Sequence, residues 1–93
     1  MGMIRIMSSA GDRTATADGT QLVWDDPDAP GAPSVKEIEG KPETKVCQAE
    51  FERVMKSGLL AYKIDEKGKP GEQIKKFDVR AKEIVFIPPL QGG

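Results

Sequence analysis

The sequence has 93 residues, with 14 Lys plus Arg against 15 Asp plus Glu, no His, one Cys and one Trp. That length fits one small domain and not two, and folding at this size buries roughly 60–65% of the unfolded chain's surface. The absence of His removes His-based acid–base catalysis and His metal ligands, a single Cys removes disulfide, cysteine-pair zinc and dithiol redox sites, and a net charge of −1 gives no bulk attraction for nucleic acid. The chain is therefore not expected to be an enzyme, nor to carry a metal or cofactor of its own.

The N-terminal Met1-Gly2 ahead of a second Met reads as an added leader pair, with Met3 the natural start. No myristoylation pattern and no long apolar export core follow it, and the longest apolar run, 84–87, falls far short of the roughly 20 residues that span a bilayer. A lone thiol without an export signal is expected in the cytoplasm, with no membrane partner.

Met3-Ile4-Arg5-Ile6-Met7 is a β-branched run that puts Ile4 and Ile6 on one face, and it stops at the loop-forming cluster 8–12. Residues 13–17 form a second polar run that ends at Asp18-Gly19, a hairpin signal. Thr20-Gln21-Leu22-Val23-Trp24 then alternates, with Leu22 and Trp24 sharing a face. An antiparallel hairpin with an extended or irregular tip is the expectation for this opening third.

Residues 25–43 form a long Pro/Asp-rich loop insertion, expected to be a mobile surface segment with one helical turn over 34–39 that Gly40 and Pro42 end. Its acids Asp25, Asp26 and Asp28 are interrupted by Pro27 and do not match the spacing of an EF-hand calcium loop, so a solvated acidic loop is expected. Residues 44–57 carry one helix, with Cys47, Phe51, Val54 and Met55 on a single apolar stripe and Glu50, Glu52, Arg53 and Lys56 on the remaining surface. Thr44 is the expected N-cap, Gly58 the C′ residue, and Cys47 a core residue.

Strand character resumes over 59–65 and yields to a turn at 66–71. Ile74 and Phe77 suit either a short strand or a turn that packs two anchors, and the lysines 67, 69, 75 and 76, offset by Glu66 and Glu72, read as a solvated face. Glu83-Ile84-Val85-Phe86-Ile87 is the most apolar strand, expected at the centre of the sheet with both faces covered. One main helix crossing one mixed sheet is the simplest way to bury the helix stripe and this strand together.

The last strand runs into Pro88-Pro89-Leu90-Gln91-Gly92-Gly93. Proline fixes φ and biases its neighbour toward extended backbone, so six residues reach about 20 Å from the sheet. Glycines without a Cβ let a narrow channel of another protein close around them. In this setting the segment 83–93 resembles the ending of the molybdopterin synthase small subunit family, in which an acid and an apolar strand lead into Pro-Pro, two variable residues and Gly-Gly. More widely, the element order resembles the β-grasp family of ubiquitin-like proteins and sulfur carriers.

That resemblance implies an α+β, ubiquitin-like β-grasp fold over 3–87, with a mixed sheet, one main helix packed across it and a diglycine tail over 88–93. It implies that Gly93 is adenylated by a cognate activating enzyme using ATP and magnesium, that Gly92 grants access, and that Pro88, Pro89, Leu90 and Gln91 present the tail. None of these is a catalytic residue. In a protein modifier the tail passes through a thioester to a target, with a conjugating enzyme and a deconjugating protease as further partners, as in bacterial operons that pair such proteins with ubiquitination-like enzymes. In a sulfur carrier Gly93 becomes a thiocarboxylate. The Pro-rich loop and long first hairpin supply extra recognition surface, which favours the modifier. A third reading, from a different class, is a small non-covalent binding module acting through its acidic loop or a sheet edge.

Overall fold

A computed structural model describes residues 1–8, 11–64 and 67–89. Its elements are β1 (Gly2–Ser8), β2 (Gly11–Arg13), β3 (Val23–Trp24), α1 (Val35–Glu39), α2 (Pro42–Lys56), β4 (Leu60–Ile64), β5 (Pro70–Ile74) and β6 (Glu83–Ile87). The six strands form one mixed sheet in the order β2-β1-β6-β4-β5, with β3 also paired to β1. The long helix α2 packs across one face, and the result is an α+β fold compatible with a β-grasp.

The parallel pair at the centre of the sheet is β1 and β6, in the register Ile4↔Ile84 and Ile6↔Phe86. All four of these side chains are buried beneath α2. The expected central strand is thus found between β1 and β4, with Ile84, Val85 and Phe86 buried. From α2 the expected stripe comes down onto it: Cys47, Phe51 and Val54 are buried and Met55 is partly so. Phe51 meets Phe86 edge-on at 5.1 Å between ring centroids. Burying a phenylalanine of this kind contributes about 1.5–3 kcal/mol.

Other expectations give way to a different geometry. Strand β1 starts at Gly2 rather than at Met3, because Gly2 pairs with Trp24 and lies beneath its indole; a Cβ at Gly2 would sit 2.1 Å from Trp24 Cε2. The first hairpin is split. Strand β2 pairs with the far end of β1 (Ile6↔Arg13), β3 with its near end (Met3↔Val23), and residues 14–22 lie outside both strands as an excursion whose last carbonyl, that of Leu22, accepts from the Ile4 N–H. Ala15 bridges Gln21 within that excursion, and its tip is tied by Thr16 and Thr20 hydroxyls donated to Asp18. Leu22 is fully buried even though it lies outside the strands, and the Leu22–Trp24 face is part of the core as expected.

Segment 25–43 is not a loosely held surface loop. Ser34 caps α1 through a capping box with Glu37, Gly40 ends the helix, and Ile38 is fully buried. The acids are ion-paired: Asp25 to Lys41 at 2.5 Å, Asp26 to Lys82 at 2.7 Å and Asp28 to Arg80 at 3.7 Å. Pro42 does not terminate a helix; it occupies the first turn of α2, where its missing N–H costs nothing. The helix therefore starts two residues before the expected 44, with Lys41 as N-cap, and Thr44 is buried inside it. At the other end Ser57 is the C-cap, and Gly58 takes the left-handed conformation expected of C′ at φ 99°.

Both readings of Ile74 and Phe77 hold, since Ile74 closes β5 and Phe77, in the following turn, packs edge-on against Trp24 at 4.8 Å. The Trp24 Nε1–H donates to the Val79 carbonyl at 2.9 Å. That buried bond fixes the segment leading into β6, so the position of the last strand depends on the return of the first hairpin.

Candidate functional site

The chain leaves the sheet at Ile87, and Pro88 and Pro89 are exposed beyond it. Leu90, Gln91, Gly92 and Gly93 lie outside the described residues. Of the tail positions picked out in the sequence, the structure therefore places the two prolines, on the end of the central strand. Leu60 pairs with Ile87 on one side, and β1 runs parallel to β6 on the other. A proline pair in that position ends the ladder and keeps the chain out of a helix, because each ring fixes φ and removes an N–H that would otherwise pair.

The face of the sheet opposite α2 was not assigned from sequence, and it is largely apolar. Ladder partners share a face, so the registers place Met3, Glu83 and Ile64 in one row, Arg5, Val85 and Tyr62 in the next, and Ile87 and Leu60 in a third. Of these, Arg5, Tyr62, Ile64, Glu83, Val85 and Ile87 line, with Met7 and Gly68, a groove of about 370 Å³ that reaches the end of β6. Arg5 and Glu83 face one another there at 3.7 Å. Sheets with one solvated face commonly alternate apolar-in and polar-out, and this one does not. The sequence signal was present in the paired runs Tyr62-Lys63-Ile64 and Val85-Phe86-Ile87. Knowing which alternate residues face out, however, required the register.

A second feature was misjudged from sequence. Glu50, expected on the helix surface, is buried at 8% exposure. Arg53 grips it twice, Nε to Oε1 at 2.8 Å and Nη2 to Oε2 at 2.6 Å, and Arg13 reaches Oε2 through Nη1 at 3.0 Å. The Arg53 hydrogen bond, supported by Arg13, holds the Glu50 carboxyl below its ordinary value despite its burial. The same Arg13 Nη1 donates to the Ala15 carbonyl at 2.6 Å, so the cluster ties the 14–22 excursion to α2.

The remaining polar features have structural explanations. The Cys47 thiol is buried, donates to the Val23 carbonyl at 3.5 Å, and is pushed up to about 11 by desolvation, so it is a protonated core residue. The acidic loop is neutralised by Lys41, Arg80 and Lys82, and the Lys82 ammonium holds the Asp26 carboxyl below its usual range. Among the described residues, no three Cys, Asp or Glu side chains come together as a metal cage, and no helix is long and apolar enough to cross a membrane. No protein-family model, no curated protein and no solved structure matches the chain.

Proposed function

We propose that this chain is a ubiquitin-like protein modifier whose tail is the substrate of an ATP-dependent activating enzyme. The observation that carries the reading is the exposed Pro88-Pro89 pair on the end of the central strand of a sheet compatible with a β-grasp. The sequence then supplies Leu90-Gln91-Gly92-Gly93. A carboxylate is a poor electrophile until it has a good leaving group. Attack of the Gly93 carboxylate on the α-phosphorus of ATP expels pyrophosphate and makes the acyl-adenylate. An enzyme thiolate then displaces AMP to give a thioester, and an amine or hydroxyl of the target takes the acyl group and releases the thiol. The chain's own part is presentation: Pro88 and Pro89 stiffen the tail, and Gly92 and Gly93 admit it to a narrow site.

The groove of Met7, Tyr62, Ile64, Val85 and Ile87 supports the reading, because it is contiguous with the tail through β6. An activating enzyme seated on that face holds the tail at a fixed distance and direction. The 14–22 excursion adds recognition surface at the opposite sheet edge and favours a modifier over a minimal carrier. Intact mass of the protein from its native host separates the outcomes. A covalent bond from Gly93 to another protein is expected, whereas a gain equal to the exchange of one oxygen for sulfur would assign the thiocarboxylate of a sulfur carrier instead. Finding neither, with no adenylating enzyme encoded nearby, would leave a non-covalent binding module.

A further inference from the structure

The Arg13–Glu50–Arg53 cluster has more cationic than anionic groups, and the excess faces a cavity. A space of about 650 Å³ lies between β2 with its outgoing chain and the C-terminal half of α2. Arg13 and Arg53 line its wall, Ile6, Val54 and Leu59 its apolar floor, and Ser57 its end. Glu50 is not part of this lining: its carboxylate sits behind the guanidiniums, on the side of the neighbouring space beneath the hairpin tip. Two guanidiniums thus share one buried carboxylate, which leaves the three-residue cluster itself with a net positive charge. Arg13 engages described residues through Nη1 alone, and Arg53 through Nε and Nη2, so each keeps further N–H donors in fixed positions. Both reach solvent, with side-chain exposures of 38% and 62%.

We propose that this cavity is a subsite for a carboxylate carried on an apolar-flanked acidic segment of a partner protein. The Arg13 and Arg53 donors favour an anion over a neutral or cationic group, and the Asp12 carboxylate on the same lining disfavours a dianion such as phosphate. The donor type agrees, because guanidinium forks match carboxylate geometry. The apolar floor accepts the side chain next to the acid, and the volume suits a short peptide segment rather than an ion alone. Glu50 acts as a positioning residue: it holds both guanidiniums before any ligand arrives, which lowers the ordering cost of binding. Asp12 also lines the cavity; it is exposed, as Arg53 largely is, so solvent weakens its effect and the cation's alike. Because Ile6 pairs with Phe86 and Leu60 with Ile87, the cavity opens at the same end of the sheet as the tail. The subsite is nonetheless independent of any chemistry at Gly93.

The test is an NMR titration of the whole chain with N-acetyl-Leu-Glu-amide, with N-acetyl-Leu-Gln-amide as the uncharged control. The expected result is saturable shifts at the Arg13 and Arg53 Nε–H and the Ser57 amide with the Glu peptide and none with the Gln peptide. Affinity should fall about tenfold or more in Arg53→Gln, corresponding to about 1.4 kcal/mol. Arg53→Lys leaves Glu50 a cationic partner but loses the fork, so it should also bind more weakly, and the exposed Lys75→Gln control should bind as the parent does. The proposal is overturned if the two peptides shift the same signals equally, if neither Arg53 variant loses affinity, or if millimolar Glu peptide moves none of these signals.

Discussion

Thr44 is the residue whose place in the fold runs most directly against its chemistry. Its side chain is fully buried in the first turn of α2, and its Oγ1 has no hydrogen-bond partner among the described residues. A buried hydroxyl without a partner forfeits its hydration without recovering it. Thr44→Val keeps the shape, removes the hydroxyl and should raise stability by up to about 1 kcal/mol, read as a higher urea midpoint at unchanged slope. A loss of stability would mean that the hydroxyl is in fact satisfied in solution. Gly2 presents the converse case. Nothing about it in the sequence requires glycine, yet the indole of Trp24 occupies the space a Cβ would need. Gly2→Ala should destabilise by about 1–3 kcal/mol through displacement of Trp24, with a change in tryptophan fluorescence as the companion signal. An unchanged melting temperature would show that the start of β1 yields freely.

At the scale of elements, what was legible in the sequence is what periodicity alone determines. Ile4 with Ile6, Leu22 with Trp24, and Cys47 with Phe51 and Val54 each fall on one face, and each face is buried. The strand 83–87 read as central from its unbroken apolar run and is central. Reading failed where a residue's role is set by a partner remote in sequence. Glu50 looked like one more charged helix position: Arg53 is a local partner, but Arg13, which joins it on the buried carboxylate, lies 37 residues away. Lys82, far along the chain, likewise anchors Asp26 in a segment whose prolines alone suggested looseness. The outer sheet groove needed the β4–β6 register, which no local pattern encodes.

The Glu50 cluster carries a pH prediction of its own. The folded-state pKa of Glu50 lies below its ordinary value of 4.5, chiefly because Arg53 hydrogen-bonds the ionised form. Its contribution to stability is therefore complete above that ordinary value and is lost as pH falls through the lower folded one. Denaturant midpoints should be level from neutral pH to about 5 and drop below pH 4.5, and Glu50→Gln should show a shallower drop with a lower plateau. Equal acid sensitivity in parent and variant would remove Glu50 as a source of the effect. Loss of the cluster should also speed amide exchange across 14–22, since Arg13 is the tie between that excursion and the helix.

At the scale of the whole molecule, the last described strand is held by a chain of aromatic contacts that starts at the first hairpin. The Trp24 bond to Val79 and the Trp24–Phe77–Phe51–Phe86 ring contacts lock the approach to β6, and Pro88 and Pro89 lie exposed just beyond it. In the function proposed for this chain, its contribution is the Gly93 acyl group that an activating enzyme would take up. The most direct test of that claim is deletion of Gly93, with the chain incubated with its cognate activating enzyme, ATP and magnesium. The full chain should form an ATP-dependent covalent adduct with the enzyme. The deletion variant should form none while keeping the parent's melting temperature and amide spectrum. An adduct that persists without Gly93 would contradict the account.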